Sequence, residues 1–99
     1  TMDFKQIEAF VSVVDNKSFS KAADVCFLTQ PTISARISSL EKELGVRLID
    51  RTGREAFLTD YGKVFYKYAA EMLDTRNKAT DSIQGLSKEI NGIIATQIA

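Results

Sequence analysis

Ninety-nine residues, 44% of them apolar, leave room for one small domain with an appendage, because a module near sixty residues buries only about 60% of its unfolded surface. A single cysteine, Cys26, excludes an internal disulfide, and the absence of histidine removes an ordinary zinc ligand set and the commonest general base. Thirteen basic and thirteen acidic residues balance to zero, so the simplest mark of a nucleic-acid binder is missing and local charge distribution must carry any such argument.

The first helix is signalled by Phe4, Ile7, Phe10, Val11 and Val14, which recur at steps of three and four residues. Asp3 is placed to cap it, with Gln6 reaching back. Asn16-Lys17-Ser18 breaks the pattern, and Ser18 starts a short second helix with Phe19, Ala22, Ala23 and Cys26 facing inward. The two adjacent alanines predict close helix contact, and a Cys26 on the apolar side reads as a packed thiol. Phe27-Leu28-Thr29 forms the next break. Thr29 caps a third helix whose first turn holds Pro31, where a missing amide hydrogen costs nothing. Its inward face is Ile33, Ile37, Leu40 and Leu44, and Gly45 is the expected left-handed stop.

From Val46 to Leu58 the pattern changes to two short stretches, Arg47–Asp50 and Glu55–Leu58, around Thr52-Gly53-Arg54, which predicts a hairpin. Thr59 caps a fourth helix, with Asp60 in its first turn and no proline beyond. Tyr61, Phe65, Tyr68, Met72, Ala79, Ile83, Leu86 and Ile90 alternate at four and three residue steps, a heptad seam with Thr75 as its weak position. From Tyr61 to Leu86 such a helix spans about 40 Å. Asn91-Gly92 is expected to end it, leaving the apolar stretch Ile93 to Ala99.

No apolar run approaches the roughly 20 residues of a membrane span, and Thr1 to Lys5 lack a signal-peptide core. A cytoplasmic protein is expected, without metal or cofactor. Thr1, ahead of Met2, reads as a leftover of expression and is set aside. Between Gln30 and Arg54 five basic residues, Arg36, Lys42, Arg47, Arg51 and Arg54, face three acidic ones, a modest positive footprint.

Two short helices joined by a tight turn, the second offering small polar residues at its N-terminus, suit a major groove about 12 Å wide. Gln30, Thr32, Ser34 and Arg36 are offered there. Glutamine pairs bidentately with adenine, a threonine methyl meets thymine, and Ser34, Ser38 and Lys42 suit phosphates. Arg54 at the hairpin tip is placed to enter a minor groove. Arg51 has two readings, a DNA contact or a charge partner of Asp50 or Glu55. The heptad seam, on a helix too long for so small a module to cover, points to pairing of two copies through Tyr61, Phe65, Tyr68, Met72, Ala79, Ile83 and Leu86.

Ser18-Phe19-Ser20, Ala22-Ala23, Thr29-Gln30-Pro31-Thr32-Ile33-Ser34, Ile37, Leu40-Glu41, Leu44-Gly45, Leu48, Arg51, Arg54, Leu58-Thr59 and Gly62 together resemble the N-terminal domain of LysR-type transcriptional regulators. The resemblance covers most of residues 3 to 62. It implies a mainly α fold: a winged helix-turn-helix of three helices and a β-hairpin wing, followed by a long dimerisation helix. The implied division is a DNA-binding domain over 2–59, a linker helix over 60–91, and in 92–99 the first strand of an effector-binding domain cut short. It also implies a homodimer on an interrupted palindrome, tetramers in the longer protein, and a small-molecule effector bound only by the missing part.

Carried over position by position, base-reading and phosphate-holding roles fall on Gln30, Pro31, Thr32, Ser34 and Arg36, with Arg54 in the wing. Ser18, Ser20, Thr29, Ser38, Lys42 and Arg51 complete the expected DNA-binding set. The chain departs from the family pattern at Thr29, Thr32 and Ile33, at Lys17 where glycine is frequent, at Cys26 and at Ile49. Two rivals come from other classes. A winged-helix module used for protein association fits the neutral charge but calls for aromatic or methionine anchors on the third helix, where residues are small or polar. An enzyme built on Glu41, Glu43 and Asp50 lacks a nucleophile–base pair and a glycine-rich phosphate loop.

Overall fold

A computed structural model of the chain describes residues 1–53 and 55–98, with side chains through residue 92. Among these residues lie helices α1 (Phe4–Asn16), α2 (Phe19–Cys26), α3 (Gln30–Leu44) and α4 (Asp60–Ile98), with strands β1 (Ile49–Asp50) and β2 (Phe57–Leu58) between α3 and α4. The strands pair antiparallel, Ile49 opposite Leu58 and Asp50 opposite Phe57. This is a winged helix-turn-helix with a long C-terminal helix.

Local chemistry sets the helix ends. Asp3 and Gln6 form a reciprocal capping box on α1, Ser18 accepts from the Lys21 amide at the start of α2, and Thr29 caps α3. Gly45 ends α3 at φ +74°, its amide bonded to the Glu41 carbonyl. Lys17 and Phe27 close α1 and α2 in the same left-handed conformation without glycine's freedom, at a cost of about 1 kcal/mol each. The paired strands are shorter than the expected stretches, because Arg47 and Leu48 give their carbonyls to Thr59 at the base of α4 instead of to a partner strand.

The core joins Ile7, Ala9, Phe10 and Val13 of α1 to Ala22 and Ala23 of α2, Ile33, Ile37 and Leu40 of α3, Leu48 and Ile49 of the wing, and Ala69 of α4. Val13 is fully buried although it lies off the expected apolar stripe, and Phe4, expected inside, is 45% exposed. The reason is that α1 is wrapped on several sides, by α2, α3 and α4 together.

Helix α4 leaves the head along α1. The Phe10 ring meets Phe65 edge-on at 5.4 Å and Tyr66 at 6.4 Å, and the Tyr66 hydroxyl donates to Asp15 at 2.5 Å. That bond to a carboxylate, aided by partial burial, raises the phenol above its ordinary range. Gly62, Phe65, Tyr66, Ala69, Met72, Leu73 and Arg76 make the head-facing stripe. Tyr61, Tyr68, Ile83, Leu86 and Ile90 of the heptad seam stay exposed, about a quarter turn around the helix. Phe65 and Met72 serve both stripes, so the seam is partly an intramolecular face, contrary to the expectation that all of it serves pairing.

A second correction concerns the end of this helix. Asn91-Gly92 does not stop it and 93–98 is not a strand; α4 runs on to Ile98. A glycine costs about 1 kcal/mol inside a helix but keeps its amide hydrogen, and only proline blocks the turn outright.

Gly62 seats α4 against the wing. A Cβ there would lie 2.0 Å from the Leu48 carbonyl oxygen, a backbone atom already bonded to Thr59. Gly62→Ala is expected to cost about 2 to 3 kcal/mol, measured as a lowered urea midpoint at unchanged m-value.

Candidate nucleic-acid interface

Helix α3 turns its apolar residues, Ile33, Ile37 and Leu40, into the core. At 3.6 residues per turn the opposite side carries Pro31, Ser34, Ala35, Ser38 and Lys42. Pro31, Ala35, Ser38 and Lys42 are exposed and Ser34 is half-buried. Gln30 opens the helix and is exposed beside them. Small and polar side chains let the backbone of α3 approach a flat or grooved partner closely.

The N-termini of α2 and α3 converge on a cleft of about 310 Å³ lined by Ser18, Phe19, Ser20, Gln30 and Ser34, with Arg51, Gly53, Glu55 and Ala56 from the wing. Amide hydrogens and aligned peptide dipoles at two helix starts favour an anion at such a place. Ser18 and Thr29 are the two caps. Thr32 is half-buried with its hydroxyl 2.8 Å from that of Thr29, so it belongs to the cap as well as to the helix surface.

Arg36 is not brought to this face. It shares its strip of α3 with Ser39 and Glu43, which turn toward the start of α1: Gln6 donates to Ser39 at 3.1 Å, and the Thr1 ammonium pairs with Glu43 at 2.7 Å. Its chemistry suggested a reader, but its place in the helical turn sets it apart from Ser34 and Ser38. Ala35, which has no polar atom to single it out in the sequence, lies on the exposed side by helical periodicity. Arg54 lies outside the described residues.

Arg51 takes neither partner expected of it within the hairpin. Its guanidinium donates to Ser34 Oγ at 2.9 Å, lies 3.5 Å from Glu41 Oε1, and stacks over the Phe19 ring at 4.7 Å. One side chain thus ties the wing to both helices of the helix-turn-helix. Asp50 accepts instead from the amide and hydroxyl of Thr52, bonds that hold its carboxyl below the usual range. The depressed value means this turn is intact at neutral pH and loosens as acid protonates Asp50.

Next to Arg51 sits a buried carboxylate to which the sequence assigns no wing-holding role. Glu41, 6% exposed, accepts from the amides of Leu48 at 2.7 Å and Ile49 at 3.3 Å. Arg47 and Arg51 each approach its other oxygen to 3.5 Å. Among the described residues no group of acidic, cysteine or histidine side chains could hold a metal ion, and no helix is long and apolar enough to cross a membrane.

The sequence pattern of bacterial regulatory helix-turn-helix proteins of the lysR family matches residues 4–63. The chain belongs to that family. It is 35% identical over 102 residues to the HTH-type transcriptional regulator CitR of Bacillus subtilis, covering 99% of this chain and 35% of CitR. It is 36% identical over 95 residues to the HTH-type transcriptional regulator BenM of Acinetobacter baylyi, covering 96% of this chain and 30% of BenM. The chain therefore spans about a third of the length of these relatives. A crystal structure of the BenM DNA-binding domain with catB site 1 DNA superposes with a TM-score of 0.83 at 35% identity, covering 87% of this chain and 97% of that one. The DNA complex of the CbnR DNA-binding domain gives 0.79 at 29% identity, over 87% and 99%.

Glu41→Ala leaves two buried amides without an acceptor and is expected to cost about 2 to 4 kcal/mol. Glu41→Gln, which keeps one carbonyl oxygen, should cost about half as much. Hydrogen exchange at Leu48 and Ile49 checks it, since both amides should lose protection first.

Proposed function

We propose that this chain is the DNA-binding part of a bacterial transcription regulator, reading duplex DNA with the N-terminal half of α3 and pairing with a second copy through α4. The observation that carries the reading is the exposed polar side of α3 beside two converging helix N-termini, in a chain that superposes on family members solved on DNA. Gln30, Pro31, Thr32, Ser34 and Ala35 face base edges, and Ser18, Ser20, Thr29, Ser38 and Lys42 meet the backbone. Arg51 adds its charge from below while positioning Ser34, and Arg54, assigned from the sequence alone, is the minor-groove contact.

In this reading the head occupies 2–59 and α4 forms the dimer through its exposed stripe, Tyr61, Tyr68, Ala79, Ile83 and Leu86, with Phe65 and Met72 at its border. Two heads then face successive major grooves of an interrupted palindrome. The extra length of CitR and BenM accommodates an effector-binding part beyond α4, which would sense a small molecule and assemble tetramers. The chain works in the cytoplasm, where the DNA is, as a binding module with no catalytic step of its own.

Mobility shifts against a pool selected from random duplexes, at two salt concentrations and with sedimentation alongside, test this. A dimer selecting an interrupted palindrome, with affinity falling steeply in salt, is the expected result. A clear dimer that binds no DNA at low salt overturns it in favour of protein association. Gln30→Ala should cost roughly 1 to 3 kcal/mol at the selected site and relax preference at one base position; unchanged preference at every position removes Gln30 from the readers.

A further inference from the structure

Arg76 is the last residue of α4 with a contact to the head among the ion pairs and ring contacts of the described residues. Its guanidinium pairs with Glu8 and lies over the Phe4 ring at 5.1 Å, both on the first turns of α1. With a side-chain exposure of 33% it is far more enclosed than an ordinary surface arginine. At the other end of the same contact Tyr66 is bonded to Asp15 on the last turn of α1. The two helices run antiparallel, with the apolar pivot of Phe10, Phe65 and Ala69 between these polar ties.

We propose that Arg76, held by Glu8 and Phe4, is a positioning residue that sets the angle at which α4 leaves the head, and so fixes the half-site spacing that a dimer accepts. The inference rests on the dimeric DNA-binding reading given above. Two ties about 15 Å apart along α4 prevent rocking about the apolar pivot. With one tie removed, the helix is held at one end and at the pivot only.

The lever is long enough for this to matter. From Arg76 to Ile90, through the exposed Ile83 and Leu86, α4 continues for about 21 Å. A swing of roughly 10° at the clasp displaces its far end by about 4 Å, close to the 3.4 Å rise of one base-pair step. Half-site spacing is a geometric property of the dimer, so an angular change appears as altered spacing and not as altered base preference. The clasp also explains why an arginine stands on the head-facing stripe that otherwise carries Phe65, Ala69, Met72 and Leu73.

The test is a set of duplexes carrying the selected half-sites at spacings varied one base pair at a time, titrated with the 99-residue chain, with Arg76→Met and with Glu8→Gln. Wild type should show one sharp optimum. Arg76→Met, which keeps the apolar stem, should broaden that optimum or move it by one base pair or more. Its affinity for an isolated half-site should stay within about twofold. Glu8→Gln, which leaves Arg76 over Phe4, should broaden it less, and it stands in if Arg76→Met does not fold. A wild-type optimum that both variants keep at the same position and width overturns the inference alone. A wild-type chain indifferent to spacing overturns it together with the dimeric reading.

Discussion

The Glu41 carboxylate of the third helix reaches into the base of the wing, and the placing of β1, of Arg51 and through it of Ser34 depends on how that group is met. Two amides and two guanidinium groups converge on it. A carboxylate withdrawn from water without such partners would cost several kcal/mol, so the hairpin has one low-energy place against α3. Once Leu48 and Ile49 are held there, Arg51 falls under Ser34 and over Phe19. The wing therefore contributes less as a sheet, being only two residues deep in each strand, than as a strap fastened to a charge. The Ala56 amide, bonded to the Lys17 carbonyl at 3.4 Å, adds a second fastening at the α1–α2 turn.

The same economy governs α4. A head this small has a limited core, and the helix supplies part of it: Ala69 is fully buried, and Phe65 and Tyr66 close over Phe10. Full burial of a large apolar side chain contributes on the order of 1.5 to 3 kcal/mol, and the half-buried Phe65 and Tyr66 each supply part of that. Gly62 lets the helix begin in contact with the Leu48 carbonyl, so the wing, the core and the long helix meet at one backbone atom. The stripe left over, from Tyr61 to Ile90, is contiguous with the buried one. A partner seated on it would lie against the head as well as against α4. In the proposed dimer, recognition and pairing would thus be mechanically joined.

Much of this was legible in the sequence because it is written in short-range chemistry. Asp3 with Gln6, Ser18, Thr29 with Pro31, Gly45 and Thr59 each mark a helix end by a bond to an amide or carbonyl within a turn or two. The heptad seam was equally plain, but not its division, since which residues of one helix touch their own head depends on how that head folds. Residue type alone does not show helical phase, which puts Arg36 on the strip of Ser39 and Glu43 and Ala35 on the side of Pro31 and Ser38. Glu41 shows no sign of this role in its own helix: its partners lie six to ten residues away, across the α3–β1 turn. Only a knowledge of that turn makes it a fastening instead of one more surface carboxylate. The run of α4 past Gly92 was hidden because a glycine after an asparagine is an ordinary helix stop, and no distant contact is needed to override it.

The central claim, that α3, the N-terminus of α2 and the wing form one rigid surface for duplex DNA, is tested most directly by following backbone amide resonances while a selected duplex is titrated in. Large shifts confined to residues 18–21, 29–42 and 47–56, with Leu48 and Ile49 keeping their exchange protection, are the predicted result. Shifts concentrated on the exposed stripe of α4 instead, with residues 29–42 unmoved, would contradict it.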